Sequence, residues 1–116
     1  MPCYFQEVCT VTVEVQGSLD KASLDNFLQN LLWEKDVQNA VGKAMEIFRL
    51  KGVVSLAAIP NRVVIQAVQE LYDSTQTTPW LENEDRFNRI VFIGKYLDSK
   101  VLTEQINKCH STEKGS

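Results

Sequence analysis

A strand-like alternation followed at once by a helix-like stripe opens this chain, and no other feature limits its possible folds so tightly. Cys9, Val11, Val13 and Val15 fall on one side of an extended segment, and Thr10, Thr12 and Glu14 on the other. Period-two patterning with β-branched residues predicts a half-buried strand over residues 8–15, ended by Gly17. Leu24, Phe27, Leu28, Leu31 and Leu32 then recur at i, i+3, i+4, i+7 and i+8, the apolar face of an amphipathic helix. Asp20 is placed to cap it, with Leu19 and Leu24 as a hydrophobic staple across the cap. The polar residues 34–43, closed by Gly42-Lys43, end the helix. A half-apolar strand and a half-apolar helix must bury their apolar sides against each other, which predicts a sheet layer under a helix layer.

The rest of the chain extends that plan. Residues 45–56 read as a second strand, with Phe48, Leu50, Gly52 and Val54 on one face and Ile47, Arg49, Lys51 and Val53 on the other. Pro60-Asn61 supplies a turn, and residues 62–72 return as a third strand. There Val63, Ile65, Ala67 and Leu71 share one side, and Val64, Gln66, Val68, Glu70 and Tyr72 the other. Residues 73–88 lack periodic apolar positions and read as a long polar connection. Residues 89–94 are apolar enough for a central strand. A second helix starts at the cap Asp98 and turns Val101, Leu102, Ile106 and Cys109 toward the core.

The expected fold is α+β: an open four-stranded, mainly antiparallel sheet with two helices on one face, in the order β-α-β-β-β-α, related to the ferredoxin-like plan. Residues 8–110 form the expected domain, 1–7 an N-terminal extension or linker, and 111–116 a polar tail. Gly17-Ser18-Leu19-Asp20 is echoed by Gly94-Lys95-Tyr96-Leu97-Asp98, two strand ends that lead into capped helices.

Composition narrows function by exclusion. The chain has 116 residues, 44% hydrophobic and 23% charged, with a net charge of −3. That balance fits one globular domain, and it provides no basic field for nucleic acid or an anionic membrane. Three cysteines without a Cys-x-x-Cys pair suit a reducing compartment. With no signal-peptide pattern at the N-terminus, the expected location is intracellular, in the cytoplasm, with the nucleus as alternative. No phosphate-binding loop is present, since Gly42-Lys43 and Gly94-Lys95 lack the earlier Gly and the following hydroxyl. Cys109-His110 are adjacent on a helix and diverge by about 100°, so with Cys9 they make a poor metal set. No nucleophile elbow or spaced carboxylate pair suggests catalysis. The segment 51–56 begins like an RNA-recognition motif but has Val and Ser where base-stacking aromatics belong.

The unusual feature is the sheet face turned away from the helices. Arg49, Lys51, Val64, Gln66, Val68, Glu70 and Tyr72 make it too apolar for a solvated face and too charged for a second core. Such mixtures mark interaction surfaces. Trp80, in the long connection, is a candidate anchor for a partner. The competing expectation is that residues 73–88 fold back, so that Trp80 covers Val64 and Val68 within the chain.

The segments 27–35 (Phe-Leu-Gln-Asn-Leu-Leu-Trp-Glu-Lys), 49–52 (Arg-Leu-Lys-Gly), 69–73 (Gln-Glu-Leu-Tyr-Asp) and 91–94 (Val-Phe-Ile-Gly) resemble the C-terminal domain of the CobW family. The resemblance runs from about residue 8 to residue 109 and points to the eukaryotic CobW-domain zinc-regulated GTPase metallochaperones. It implies an accessory domain of a GTPase that delivers zinc to client metalloproteins such as methionine aminopeptidase. GTP and zinc would be held by an N-terminal domain whose motifs are not in this sequence, so no catalytic, cofactor or metal residue carries over. The implied partner is a CobW-type GTPase domain, in cis or in trans. A free-standing interaction module without that domain is the alternative.

Overall fold

A computed structural model of the chain describes residues 8–34, 37–57, 59–68, 71–81 and 84–110. Strand β1 (Val8–Gln16) leads into helix α1 (Lys21–Gln29), which continues as a π-helical turn, Asn30–Glu34. Four strands follow, β2 (Glu46–Val54), β3 (Asn61–Val68), β4 (Leu71–Pro79) and β5 (Phe87–Lys95), and then helix α2 (Ser99–Asn107). They form one five-stranded sheet in the order β1-β5-β2-β3-β4, antiparallel at every pairing. The α+β class and the two helices over one face match the sequence expectation. The strand count does not.

The added strand is β4, where a polar connection was expected. All its residues but Tyr72 are exposed, and it pairs only with β3. An edge strand needs no apolar face, and a polar one resists pairing with other chains. Its Thr residues favour extended backbone. Only residues 69 and 70 separate Val68 from Leu71, its pairing partner, so the chain reverses inside what reads as one long strand. The reversal changes the faces. Tyr72 pairs with Ala67 and packs against the core, while Leu71 pairs with Val68 and is exposed. Both are opposite to the expected placement.

A second correction lies in β2. The register against β5 shifts between Ile47 and Arg49, so Phe48 is the extra residue of a β-bulge. Ile47 is therefore buried and Phe48 exposed, the reverse of plain alternation. From Arg49 onward the expected parity holds.

One apolar cluster joins the layers. Leu24, Phe27 and Leu28 of α1, Leu31 and Leu32 of the π-turn, and Leu102 and Ile106 of α2 meet Val13, Leu50, Ile65, Ile90 and Phe92 of the sheet. Each such side chain contributes about 1.5–3 kcal/mol by leaving water. Both helices are capped as expected. Asp20 Oδ2 accepts from Ser23 N at 3.0 Å, and Asp98 Oδ1 accepts from Lys100 N at 3.1 Å. The likeness between the two helix entries ends there. Gly17, with φ +95°, turns the chain after β1, whereas Gly94 lies inside β5 and Tyr96, with φ +62°, makes the second turn.

Candidate functional site

The sheet register brings the open face together row by row, because directly paired residues share a side. One row runs Thr10, Ile93, Arg49, Val68, Leu71; the next runs Thr12, Val91, Lys51, Gln66, Asp73; a third runs Glu14, Arg89, Val53, Val64, Thr75. Arg49, Lys51, Val64, Gln66 and Val68 thus share one surface. Of the other expected members, Tyr72 is on the helix side, and Glu70 lies outside the described residues.

At the centre, Arg49, Lys51, Val91 and Ile93 line a groove of about 250 Å³. Val91 and Ile93 are its apolar floor and are half-buried, while Arg49 and Lys51 are exposed. Among the described residues neither cation has an ion-pair partner. Arg89 uses Glu14, at 3.5 Å, and Arg62 uses Glu84. Beyond Arg49 the surface stays apolar, with Val68 56% and Leu71 80% exposed.

The other end of the face is sealed by the chain itself. Arg62 donates to Thr78 Oγ1 at 3.2 Å and to the Pro79 carbonyl at 3.1 Å, and pairs with Glu84. Its guanidinium lies 4.6 Å from the centre of the Trp80 ring, which meets Phe87 edge-on at 5.5 Å. The Leu81 amide, and then Arg62, hold the Glu84 carboxyl below its ordinary range. Trp80 is only 8% exposed. It is a brace within the chain, which removes it as a partner anchor. It does not reach the exposed Val68.

Val91, Ile93 and Leu71 complete the face, and sequence patterning did not assign them to it. The signal for the first two is the unbroken run Ile90, Val91, Phe92, Ile93. A central strand apolar on both parities sends half of that run to each face. Leu71 depends on the reversal after β3, which carries no Gly or Pro marker.

A second groove, about 300 Å³, lies on the helix side between α1, the π-turn and β4, and includes Asp25, Leu28, Trp33 and Tyr72. Burial pushes the Tyr72 phenol up to about 12, with the Asp25 and Asp73 carboxylates adding to the effect. The folded state thus holds this proton more tightly than the unfolded chain, whose ordinary value is 10.0. The resulting stability is complete below pH 10 and is lost as pH rises through about 12. Urea midpoints measured across that interval should fall, and Tyr72→Phe should flatten the fall. An equally steep decline in the variant would show that another group is responsible.

Cys9, Cys109 and His110 do not converge. His110 Nε2 is 2.7 Å from the Gln16 carbonyl, at one end of β1. Cys9 is near the other end, roughly 23 Å along an extended strand. Cys109 is buried, donates from Sγ to the Gln105 carbonyl at 3.3 Å, and has its thiol pushed up to about 11 by burial and then by Asp20. A thiol held protonated is a poor metal ligand. Among the described residues no three His, Cys, Asp or Glu groups are placed to hold an ion. No helix among them is long and apolar enough to cross a membrane.

The sequence model of the family described as the cobalamin synthesis protein cobW C-terminal domain matches residues 8–110. The zinc chaperone YjiA of Escherichia coli K12 is 30% identical over 96 residues, covering 83% of this chain and 27% of YjiA. The zinc chaperone CobW of Pseudomonas aeruginosa is 32% identical over 76 residues, 63% of this chain and 20% of that protein. The fold matches the crystal structure of the Zn(II)-bound YjiA GTPase with a TM-score of 0.73 at 25% identity, over 90% of this chain and 30% of that one. The chain therefore spans less than a third of the length of these relatives.

Proposed function

The chain belongs to the CobW C-terminal domain family, and from that premise we propose that it serves a GTP-dependent zinc chaperone as an accessory domain that works by protein contact. The observation that carries this reading is the open face, where two cations without described ion-pair partners flank an apolar groove, continuous with exposed Val68 and Leu71. An apolar centre with a polar surround is the makeup of a docking surface. The larger share of YjiA lies outside the matched region, and GTP and zinc are assigned to the corresponding domain here, in cis or in trans. The chain itself then carries no catalytic step, and its setting is the cytoplasm. A client metalloenzyme such as methionine aminopeptidase receives the zinc from the whole assembly.

A chimaera tests this. Residues 8–110 replace the matching region of E. coli YjiA, and GTP turnover and rotational diffusion are compared with intact YjiA and with YjiA lacking that region. Covalent linkage holds the two parts at roughly millimolar effective concentration, so a contact weakened by sequence divergence still forms. The expected chimaera tumbles as one body, with turnover within about tenfold of intact YjiA. A chimaera that turns over GTP like the truncated protein, with the grafted domain tumbling independently, would overturn the reading.

A further inference from the structure

We infer that the segment received by the open face is an acidic amphipathic helix of a protein partner, whose carboxylates pair with Arg49 and Lys51 while its apolar side chains cover Val91 and Ile93. This rests on the docking role proposed above and specifies the chemistry of what docks. Charge comes first. Arg49 and Lys51 are exposed and without an ion-pair partner among the described residues, although the chain carries −3 overall. Of the acidic groups on this face, Glu46 lies one row out, opposite Lys95 in the register, and the other two are occupied or peripheral. Glu14 pairs with Arg89, and Asp73 lies beyond Gln66 at the sheet edge and accepts from the Ser74 amide. The centre of the face is therefore a positive spot on an acidic protein, and burying it under a neutral or basic partner would strand two cations.

A helix fits this spacing. Alternate residues on one strand are about 7 Å apart. Carboxylates at i and i+4 on a helix project from Cβ atoms about 5–6 Å apart, close enough for one to meet each cation. Apolar residues at i+3 and i+7 of that helix would lie along the same face, over the Val91/Ile93 floor and toward Val68 and Leu71. The sealed end at Arg62 and Trp80 bounds the site on one side, and the exposed Leu71 leaves the other side open.

The test uses the full 116-residue chain and two capped helical peptides. One carries Glu at i and i+4 with Leu at i+3 and i+7; the other has Lys in place of each Glu. Amide chemical shifts are followed during titration. The acidic peptide should bind with sub-millimolar affinity, shifting Arg49, Lys51, Val91 and Ile93, and the Lys peptide at least tenfold more weakly. The double variant Arg49→Ala, Lys51→Ala should lose at least tenfold in affinity with its melting temperature unchanged, because both side chains are exposed. Equal binding of the two peptides, absence of binding, or shifts confined to the groove beside Tyr72 would each overturn the inference. So would a single-stranded oligouridylate that competes at these residues more tightly than the acidic peptide, since that would assign the cations to phosphate. The measurement needs no GTPase domain, so it can fail while the chimaera couples, or succeed while the chimaera does not.

Discussion

Gly94→Ala is expected to remove more than about 4 kcal/mol of stability, most or all of what a domain this size has. A Cβ at position 94 would sit 1.8 Å from the Glu46 carbonyl oxygen, 2.9 Å from its carbon and 3.1 Å from Ile47 Cα. All three are backbone atoms, so no rotamer change relieves the overlap. β5 cannot retreat either, since Gly94 pairs with Ile47 on one side and Cys9 on the other. The close approach coincides with the bulge at Phe48, so the missing side chain and the extra residue belong to one local solution. Gly42→Ala is the control: its Cβ meets nothing within 4 Å, and only the φ of +85° opposes it, at about 1 kcal/mol. In urea denaturation the Gly94 variant should be largely unfolded without denaturant, and the Gly42 variant should show a modest midpoint shift. Comparable shifts for the two would mean that β2 and β5 can separate at little cost.

The same bulge shows where sequence patterning stops. Alternation identified β1 and the helical stripe identified α1, because in each a single face is buried and the period is clean. It also placed Arg49, Lys51, Val64, Gln66 and Val68 on one surface, since from Arg49 onward β2 keeps strict parity with β3. Phe48 broke the pattern because a bulge is set by backbone approach at Gly94, some forty-five residues away in the chain, and no local window contains both. β4 was not legible for a different reason. Polar edge strands are stabilised by hydrogen bonds to one neighbour and by nothing that hydropathy records. Missing it carried Tyr72 to the wrong face, because each strand reversal resets which parity faces the core.

The fate of Trp80 follows from the same gap. In an irregular connection a tryptophan reads as a free anchor, but β4 delivers it to the end of the sheet beside Arg62 and Phe87. Of the two accounts open from the sequence, self-coverage and a partner, the molecule divides the face between them. Arg62 and Trp80 close one end, and the Arg49/Lys51 groove is left open by the described residues.

Asn88→Leu is the second change with a large expected effect, about 3–5 kcal/mol. Its amide is 1% exposed and ties three strand ends together. Oδ1 accepts from Ser55 N, just past β2, at 2.7 Å, while Nδ2 donates to the Val15 and Gly17 carbonyls at 3.0 Å each. Leucine fills the same space but leaves a buried N–H and two carbonyls without this partner, each costing about 1–3 kcal/mol, with nearby water recovering part. Asn88→Asp separates polarity from volume. A carboxylate can still accept from Ser55 N, but its second oxygen would face two carbonyl oxygens, so only the protonated acid fits. Its folded pKa would then lie above the usual value of about 3.9. The variant would keep its stability below that value and lose it as pH rises through the folded pKa. Urea midpoints at acidic and neutral pH should therefore diverge for Asn88→Asp and move together for Asn88→Leu. A Leu variant within about 1 kcal/mol of the parent would mean that water replaces the amide at no great cost. The junction of β1, β2 and β5 would then owe its shape to packing alone.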